Sequence, residues 1–524
     1  MKKNLVIIIG LNIVLALAIR WAYNVELSMN RQESMSEVLK KKYGQKSLPA
    51  TDHSKFEILQ KKFDTPQAVT QACISCHTER HKEVMESNHW NWEREEYIEG
   101  RGVTYLGKSN LLNNYCIGAS SNEQACAKCH IGYDFESTPN FYKKEENVDC
   151  LVCHDNSGEY MKGGGLAGLP AGTVDLGASA RHVGNPTKES CGSCHFYSGG
   201  GNNVKHGDLE EAQTDCSREV DVHMASQGVD MSCVDCHSAD KHNIKGKLYS
   251  VSSANKNRAE CQTCHGELPH ESEALNTHTA KVACQTCHIP SYAKANATKM
   301  SWDWSTAGKL KDGKPYSEDD SLGNHTYMSI KGSFTWAKNV TPEYVWFNGT
   351  ADHYVLGDKV DTLKAIKLNE LFGSYSDGKI MPVKVHRGRQ PYDPVNKTLI
   401  QPFTYAKEKG KGAYWKDFDW QKASEIGMKE VGLPFSGEVT FPKTEMYWPV
   451  NHMVSPADKS LSCADCHTNS PTGRLANLKG FYLPGRDGHS GVDFFGKWLL
   501  ILSCIGLVGH AGLRILSGLK SKQA

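Results

Sequence analysis

Eight Cys-x-x-Cys-His pentapeptides run through the 524 residues of this chain, and no other feature restricts its structure as much. They are Cys73/Cys76/His77, Cys126/Cys129/His130, Cys150/Cys153/His154, Cys191/Cys194/His195, Cys233/Cys236/His237, Cys261/Cys264/His265, Cys284/Cys287/His288 and Cys463/Cys466/His467. In such a unit the two thiols add across the vinyl groups of one haem, and the adjacent imidazole meets the iron as proximal ligand. A zinc ribbon pairs two Cys-x-x-Cys units and has no use for a histidine after every second cysteine. The motifs therefore predict eight covalently attached haem c groups.

Composition agrees. The chain is 39% hydrophobic with 47 glycines, a thin supply of side chains for a conventional core. Eight apolar porphyrin plates would furnish the missing interior. The expected fold is mostly α with extensive loops wrapped round a packed haem array, with a small β-containing insertion and terminal membrane helices. The formal charge of +1 omits two propionates per haem, so the mature protein is expected to be acidic by roughly ten charges. Lysines are scattered, and no basic stripe interleaves with aromatics, which argues against a nucleic-acid partner.

Both ends carry apolar runs. Residues 1–23 hold Lys2 and Lys3, then a largely apolar stretch from Leu5 to Ile19, read as a signal peptide or N-terminal membrane anchor. Residues 494–516 read as a C-terminal transmembrane helix, with Arg514, Lys520 and Lys522 on the cytoplasmic side. A buried amphipathic helix is the alternative. The body is expected on the periplasmic side of the cytoplasmic membrane. Between the ends, residues 24–70 read as a polar stalk, and 71–290 as a seven-haem domain that includes the active-site haem. Residues 291–450 read as a haem-free insertion with β-hairpins, and 451–490 as the eighth haem segment.

Distal ligands are sought among the fifteen histidines outside the motifs. His182, His223, His278 and His452 lie shortly before an attachment site, and His89, His206, His242 and His270 shortly after one. These eight are the predicted iron ligands. Isolated His53, His325 and His489 are assigned to surface duty. His386, between Lys384 and Arg387, reads as part of a basic loop. Cys116 and Cys216 either form a disulfide, or Cys116 is a reactive thiolate.

Around the second and third motifs the strings Asn113-Asn114-Tyr115-Cys116-Ile117, Cys126 to Tyr133, Cys150 to Asp155 and Tyr160-Met161-Lys162 resemble the octahaem tetrathionate reductase family. The resemblance spans roughly residues 70 to 470. It implies that the haem on Cys126, Cys129 and His130 is the active site, with Lys162 as its distal ligand, Cys116 as a pocket thiol and Asn113 as its polar neighbour. A lysine binds iron only as neutral amine, so it forms a releasable cap.

Two functions follow. One is a membrane-anchored multihaem reductase acting on a small anion or amine (tetrathionate, nitrite or hydroxylamine), supplied with electrons by seven bis-histidine haems. The other is a non-catalytic carrier taking electrons from quinol to periplasmic acceptors. His510 inside the apolar tail suggests a membrane subunit as partner, such as a b-type cytochrome or another quinol-oxidising protein.

Overall fold

The computed structural model describes Arg20 and residues 34–44, 51–116, 118–135, 141–246 and 255–521. The expected N-terminal signal or anchor lies outside the described residues apart from Arg20. The chain is not mostly α. Away from the C-terminus its helices are short, many of them single turns placed on the motifs, whereas the haem-free segment is built on an extended sheet.

The single turns have a local cause. A four-residue helix cannot persist alone, so each needs caps or a covalent plate to hold it. In Cys233-Val-Asp-Cys236 and Cys463-Ala-Asp-Cys466 the aspartate between the cysteines reaches back to the preceding serine. Asp235 and Asp465 accept from the amides of Ser232 and Ser462, each at 2.7 Å, completing capping boxes. The histidine amide then donates to the first cysteine's carbonyl, at 2.8 Å for both His237 and His467. One turn thus fixes both thiols and the imidazole relative to each other.

The sheet has eight strands. Seven run in the order Ile366–Lys367, Lys443–Pro449, Lys379–Arg389, Thr298–Asp303, Gly332–Ala337, His325–Met328 and Ser317–Asp319, and Glu343–Phe347 pairs with the first half of the long strand. Most neighbours are antiparallel, but Lys379–Arg389 meets Thr298–Asp303 in parallel, Arg387 opposite Ser301. Ile380 to His386 are buried without alternation, because both faces of the strand are covered.

That burial includes Lys384. Its ammonium donates to the carbonyl oxygens of Val204 at 2.7 Å and Lys205 at 3.2 Å, and to Thr298 Oγ1 at 2.6 Å. The side chain ties the sheet to the loop that follows the fourth motif. A second tie joins the approach to the second motif with residues 401–405. Asn122 Oδ1 accepts from the Thr404 amide and hydroxyl, and Gln401 Nε2 donates to the carbonyls of Gly118 and Ser120. The haem-free segment therefore folds back over the second motif.

The part of residues 24–70 that is described does not stand off the body as a stalk. Met35–Tyr43, capped by Ser34 and Glu37, buries Leu39 against Val229 and Met231. Leu59 and Phe63 pack with Val69, Ala72, Leu151 and Ala180. Its polar composition belongs to the outward face alone. At the other end Ser490–Ser521 forms one 32-residue helix, about 48 Å long. It is apolar enough to cross a membrane over Ser490–Ser517, and the body buries none of its most apolar window.

Removing the Lys384 brace leaves three acceptors unpaired in a buried cavity. Lys384→Ala is expected to destabilise the body by about 3 kcal/mol, read as a melting temperature lowered by several degrees with haem content unchanged. An unaltered melting temperature would show that the loop after the fourth motif is held by other contacts.

Candidate functional site

An iron held between two imidazoles puts the ring centres about 6.3 Å apart, from a metal–nitrogen bond near 2.1 Å and roughly 1.1 Å from nitrogen to ring centre on each side. Seven attachment histidines face a second histidine at that spacing. The pairs are His77 with His53 and His195 with His89, both at 6.2 Å, and His154 with His242 at 6.4 Å. His265 pairs with His223, His237 with His452, His288 with His270, and His467 with His278, all at 6.1 Å. The donor set and its spacing fit haem iron at these seven places.

Six of the eight distal histidines expected from sequence take part in these pairs. The remaining two do not. His182 is exposed and its Nδ1 lies 2.8 Å from the Ala178 carbonyl, and the His206 ring stands 5.1 Å from Trp448. His53, assigned from sequence to the surface, is the partner of His77 instead. His325 and His489 have other neighbours, Asp319 Oδ1 at 2.5 Å and the Tyr482 ring at 6.4 Å.

Among the described residues, His130 of the second motif has no histidine at that spacing. Its ring is buried, tilted against Trp92 with centres 4.4 Å apart, and Nδ1 has no hydrogen-bond partner. Burial, followed by the charges of Lys108 and Lys162, holds its pKa well below the usual imidazole range.

The second motif instead has Lys162 beside it. The buried ammonium donates to the carbonyl oxygens of His130 and, at 3.1 Å, Gly132, and lies 3.4 Å from Asp149 Oδ2. Asp149, just ahead of Cys150, was not singled out from sequence. Its buried carboxylate also accepts from Tyr133 at 2.9 Å, Tyr160 at 2.8 Å and the Val152 amide at 3.0 Å. Burial, then the Asp149 charge, pushes both tyrosine hydroxyls far above their usual range, so they remain donors. Lys162 opens a glycine-rich loop that closes by a bridge to Pro170. Gly168 in that loop has φ +89°, and a Cβ there would meet the Gly132 oxygen at 2.2 Å, so glycine is required.

Cys116 lies on the same motif's approach, close enough to Cys126 for its charge to help raise that thiol's pKa, burial being the larger cause. Asn113 Oδ1 accepts from the Cys116 amide at 2.7 Å, so Asn113 shapes the turn presenting the thiol. Asn114 pins the turn to the sheet through the His386 carbonyl at 2.7 Å. Cys216 sits elsewhere, packed with Met224 and Ala225. Both cysteines are free thiols, so the disulfide alternative does not hold. Nor does His386 lie in a basic loop: it is fully buried in the long strand, with neither ring nitrogen hydrogen-bonded.

Three further lysines surround the Cys116 turn. Lys205 Nζ stands 4.7 Å from the Trp448 ring centre and 5.7 Å from Tyr115. Lys299 lies 4.5 Å from Trp302 and 4.2 Å from Phe334, and Lys331 5.5 Å from Trp415. Burial pushes Lys205 down to about 8; burial and then Lys331 push Lys299 down to about 7. Sequence reasoning missed them because single lysines in a lysine-rich chain carry no periodic signal.

Thiols from different motifs also meet. Cys73 lies beside Cys150, Cys129 beside Cys194, Cys191 beside Cys233 and Cys261 beside Cys284. Cys153 senses the charge of Cys191, Cys236 that of Cys264, and Cys466 that of Cys287. The attachment sites therefore form one contiguous set.

Four attachment thiols, Cys76, Cys236, Cys261 and Cys463, are exposed, and Cys76 shows how. It is exposed, and the Ser75 hydroxyl of its own turn donates to its Sγ at 3.9 Å. The cause is local: the helix Pro66–Ile74 buries Val69 and Ala72 and ends at Ser75, which leaves Cys76 on the outer side of the turn. The first motif thus joins the set through Cys73, and the Cys76 edge of its haem site faces solvent.

Paired imidazoles over linked thiol pairs define a covalent multihaem c-type cytochrome, and the comparisons with known proteins agree. A family model described as "Cytochrome c bacterial" matches residues 299–470. A solved octahaem cytochrome c from Shewanella oneidensis is 42% identical, with a TM-score of 0.74, over 81% of this chain and 95% of that one. An uncharacterized protein from Archaeoglobus fulgidus is 27% identical over 270 residues, covering 42% of this chain and 87% of that protein. The chain belongs to the octahaem c-type cytochromes, and its cofactor is haem c.

Two outcomes check the site. His53→Met should lower the bis-imidazole charge-transfer signal in near-infrared magnetic circular dichroism by about one seventh, whereas His182→Ala leaves it unchanged; the reverse result would restore the original assignment. Burial and the neighbouring Lys384 hold His386 well below its usual pKa. Between pH 7 and pH 5 the unfolded chain therefore takes up a proton that the folded chain refuses. Stability then falls with pH by up to about 1.4 kcal/mol per unit from this residue. His386→Leu should show a smaller drop in melting temperature from pH 7 to pH 5 than the parent.

Proposed function

We propose that this cytochrome is an extracytoplasmic, membrane-anchored reductase of a small sulfur or nitrogen oxyanion or amine (tetrathionate, nitrite or hydroxylamine), acting at the second motif. One observation carries the reading: seven attachment histidines face a second histidine at the spacing of two axial ligands, and His130 does not. A haem closed by imidazole on both faces offers no place for a substrate. When bound, the haems supply the electrons and the metal that receives the ligand.

The chain's own groups supply the rest. Lys162 would hold the open face of the second site, and Asp149 with its two tyrosine donors would give its amine a place to take up a proton. In the structure that ammonium is engaged by Asp149 and two carbonyls beside His130. Cys116 stands ready as a nucleophile toward a sulfur–sulfur bond, with Asn113 fixing its turn. Ser490–Ser521 fits a membrane anchor in length and apolarity. It would bring the body near a quinol-oxidising partner such as a b-type cytochrome.

Lys162→Ala tests the reading. With all eight haems attached, turnover of tetrathionate and hydroxylamine should fall at least about a hundredfold, the scale of losing a positioned acid. One ferric haem should also change its low-temperature EPR signature. An EPR spectrum of the parent in which every ferric haem is bis-histidine would leave only an electron carrier.

A further inference from the structure

We propose that Asp208 is a positioning residue for the fifth haem: through His452 it holds that haem at the lowest potential of the seven that lie between two imidazoles. The inference needs haem on the fifth motif but no substrate, so it stands or falls apart from the reductase reading.

An axial imidazole binds iron through one ring nitrogen, and the partner of the other nitrogen sets how strongly the ring donates. Nδ1 of His53, His154, His237, His278 and His467 lies 2.6–3.2 Å from a backbone carbonyl oxygen, a neutral partner. His223 Nδ1 stands 3.8 Å from Asp221, beyond hydrogen-bond reach. Among the described residues, two axial imidazoles meet a carboxylate within reach. His242 Nδ1 is 2.9 Å from Glu83 Oε2, and His452 Nδ1 is 3.2 Å from Asp208 Oδ2.

These two carboxylates differ in what balances them. Glu83 also holds the Arg80 guanidinium at 2.6 Å, and its side chain is 15% exposed, so a cation and water offset its charge. The Asp208 side chain is 2% exposed. Its Oδ2 also accepts from the amides of Asn451 at 2.7 Å and His452 at 2.9 Å, and its Oδ1 is buried with no partner. Lys384 feels the Asp208 charge but gives its ammonium to Val204, Lys205 and Thr298. A second buried carboxylate, Asp221, takes the next two amides, Met453 at 2.8 Å and Val454 at 3.2 Å. Four consecutive amides thus fix the segment that presents His452.

An interior charge without a counter-charge costs several kcal/mol, and a positive centre beyond His452 recovers part of that cost. Ferric haem carries one more positive charge than ferrous haem. A buried anion acting through the imidazole therefore favours the oxidised state and lowers the potential. The place of the fifth motif gives this effect a use. Cys233 lies beside Cys191 of the fourth motif, and Cys236 senses Cys264 of the sixth. By these contacts an electron moving between the sixth and fourth motifs crosses the fifth. A low potential there keeps electrons stored on one side from draining to the other.

The ring planes mark the signal to follow. His237 and His452 lie 27° from parallel, as do His53 and His77 at 23° and His270 and His288 at 6°. The other four pairs cross at 69–78°. Near-parallel planes split the iron dπ orbitals and give a rhombic low-spin EPR signal. Near-perpendicular planes leave those orbitals close in energy and give one large g-value.

The test is a reductive titration of the haem-loaded full-length protein in detergent, with dithionite as reductant and EPR as readout. Asp208→Asn keeps an acceptor oxygen and removes the charge. It should raise the equilibrium constant for reducing one haem roughly tenfold or more, which for one electron is an upward shift of about 59 mV. That shift should appear in a rhombic signal, with haem content unchanged. Glu83→Gln should move a large-g signal, and by less. Rhombic signals that all keep their potentials in Asp208→Asn, or a shift to lower potential, overturn the proposal. An equal or larger shift in Glu83→Gln does so too. Should Asp208→Asn fail to load haem, the parent decides: the last bis-histidine signal to vanish on reduction should be rhombic, and a large-g signal vanishing last overturns the proposal.

Discussion

The clamp of two imidazoles at 6.1–6.4 Å, repeated seven times, is the constraint on which the rest of the body depends. One histidine of each clamp is fixed by a single helical turn and two thiols; the other comes from outside that turn, as near in sequence as His270 is to His288 and as far as His278 is from His467. Each clamp therefore joins segments that little else would hold together, from His53 and His77 near the start to His278 and His467 across the whole sheet-bearing segment. Iron held at these pairs would add to the cohesion that the sheet and its packed clusters already give the body.

The second motif departs from that rule, and the structure compensates locally. Where a partner histidine would stand elsewhere, there is a lysine, a buried carboxylate and two tyrosines on one hydrogen-bonded network, with residues 401–405 folded over the approach. Four polar groups tied to one another in the interior are costly unless each is satisfied. Asp149 satisfies this by accepting from Tyr133, Tyr160 and the Val152 amide while facing Lys162.

Attachment sites were fully legible in the sequence, because covalent chemistry demands fixed spacing. How deeply each thiol lies was not: Cys73 and Cys76 share one motif, yet one faces its neighbour in the array and the other faces water. Distal histidines were legible only in part. Closeness to a motif picked out six of them, yet each meets a different site from the one it lies beside: His89 follows the first motif and meets His195, and His452 precedes the eighth and meets His237. A single turn directs its imidazole to one face of a haem, and the other face is reached from the next site in space. His53 escaped notice because nothing in its own stretch marks it. The sheet was read only as hairpins, since the strand through Lys384 and His386 is buried on both faces and carries lysine and histidine where alternation would predict otherwise. Asp149 and Lys299 gave no local signal; burial alone sets them apart.

The meeting of thiols gives the array an uneven topology. Cys194 touches the second motif through Cys129, and Cys191 touches the fifth through Cys233 and lies beside Cys153 of the third. The fourth site is thus a crossroads where three branches join, and the first site lies beyond the third as a spur. The second site also abuts the third directly, through the Gly132–Val148 bridge and the Tyr133–Asp149 hydrogen bond, so it is reached from two sides.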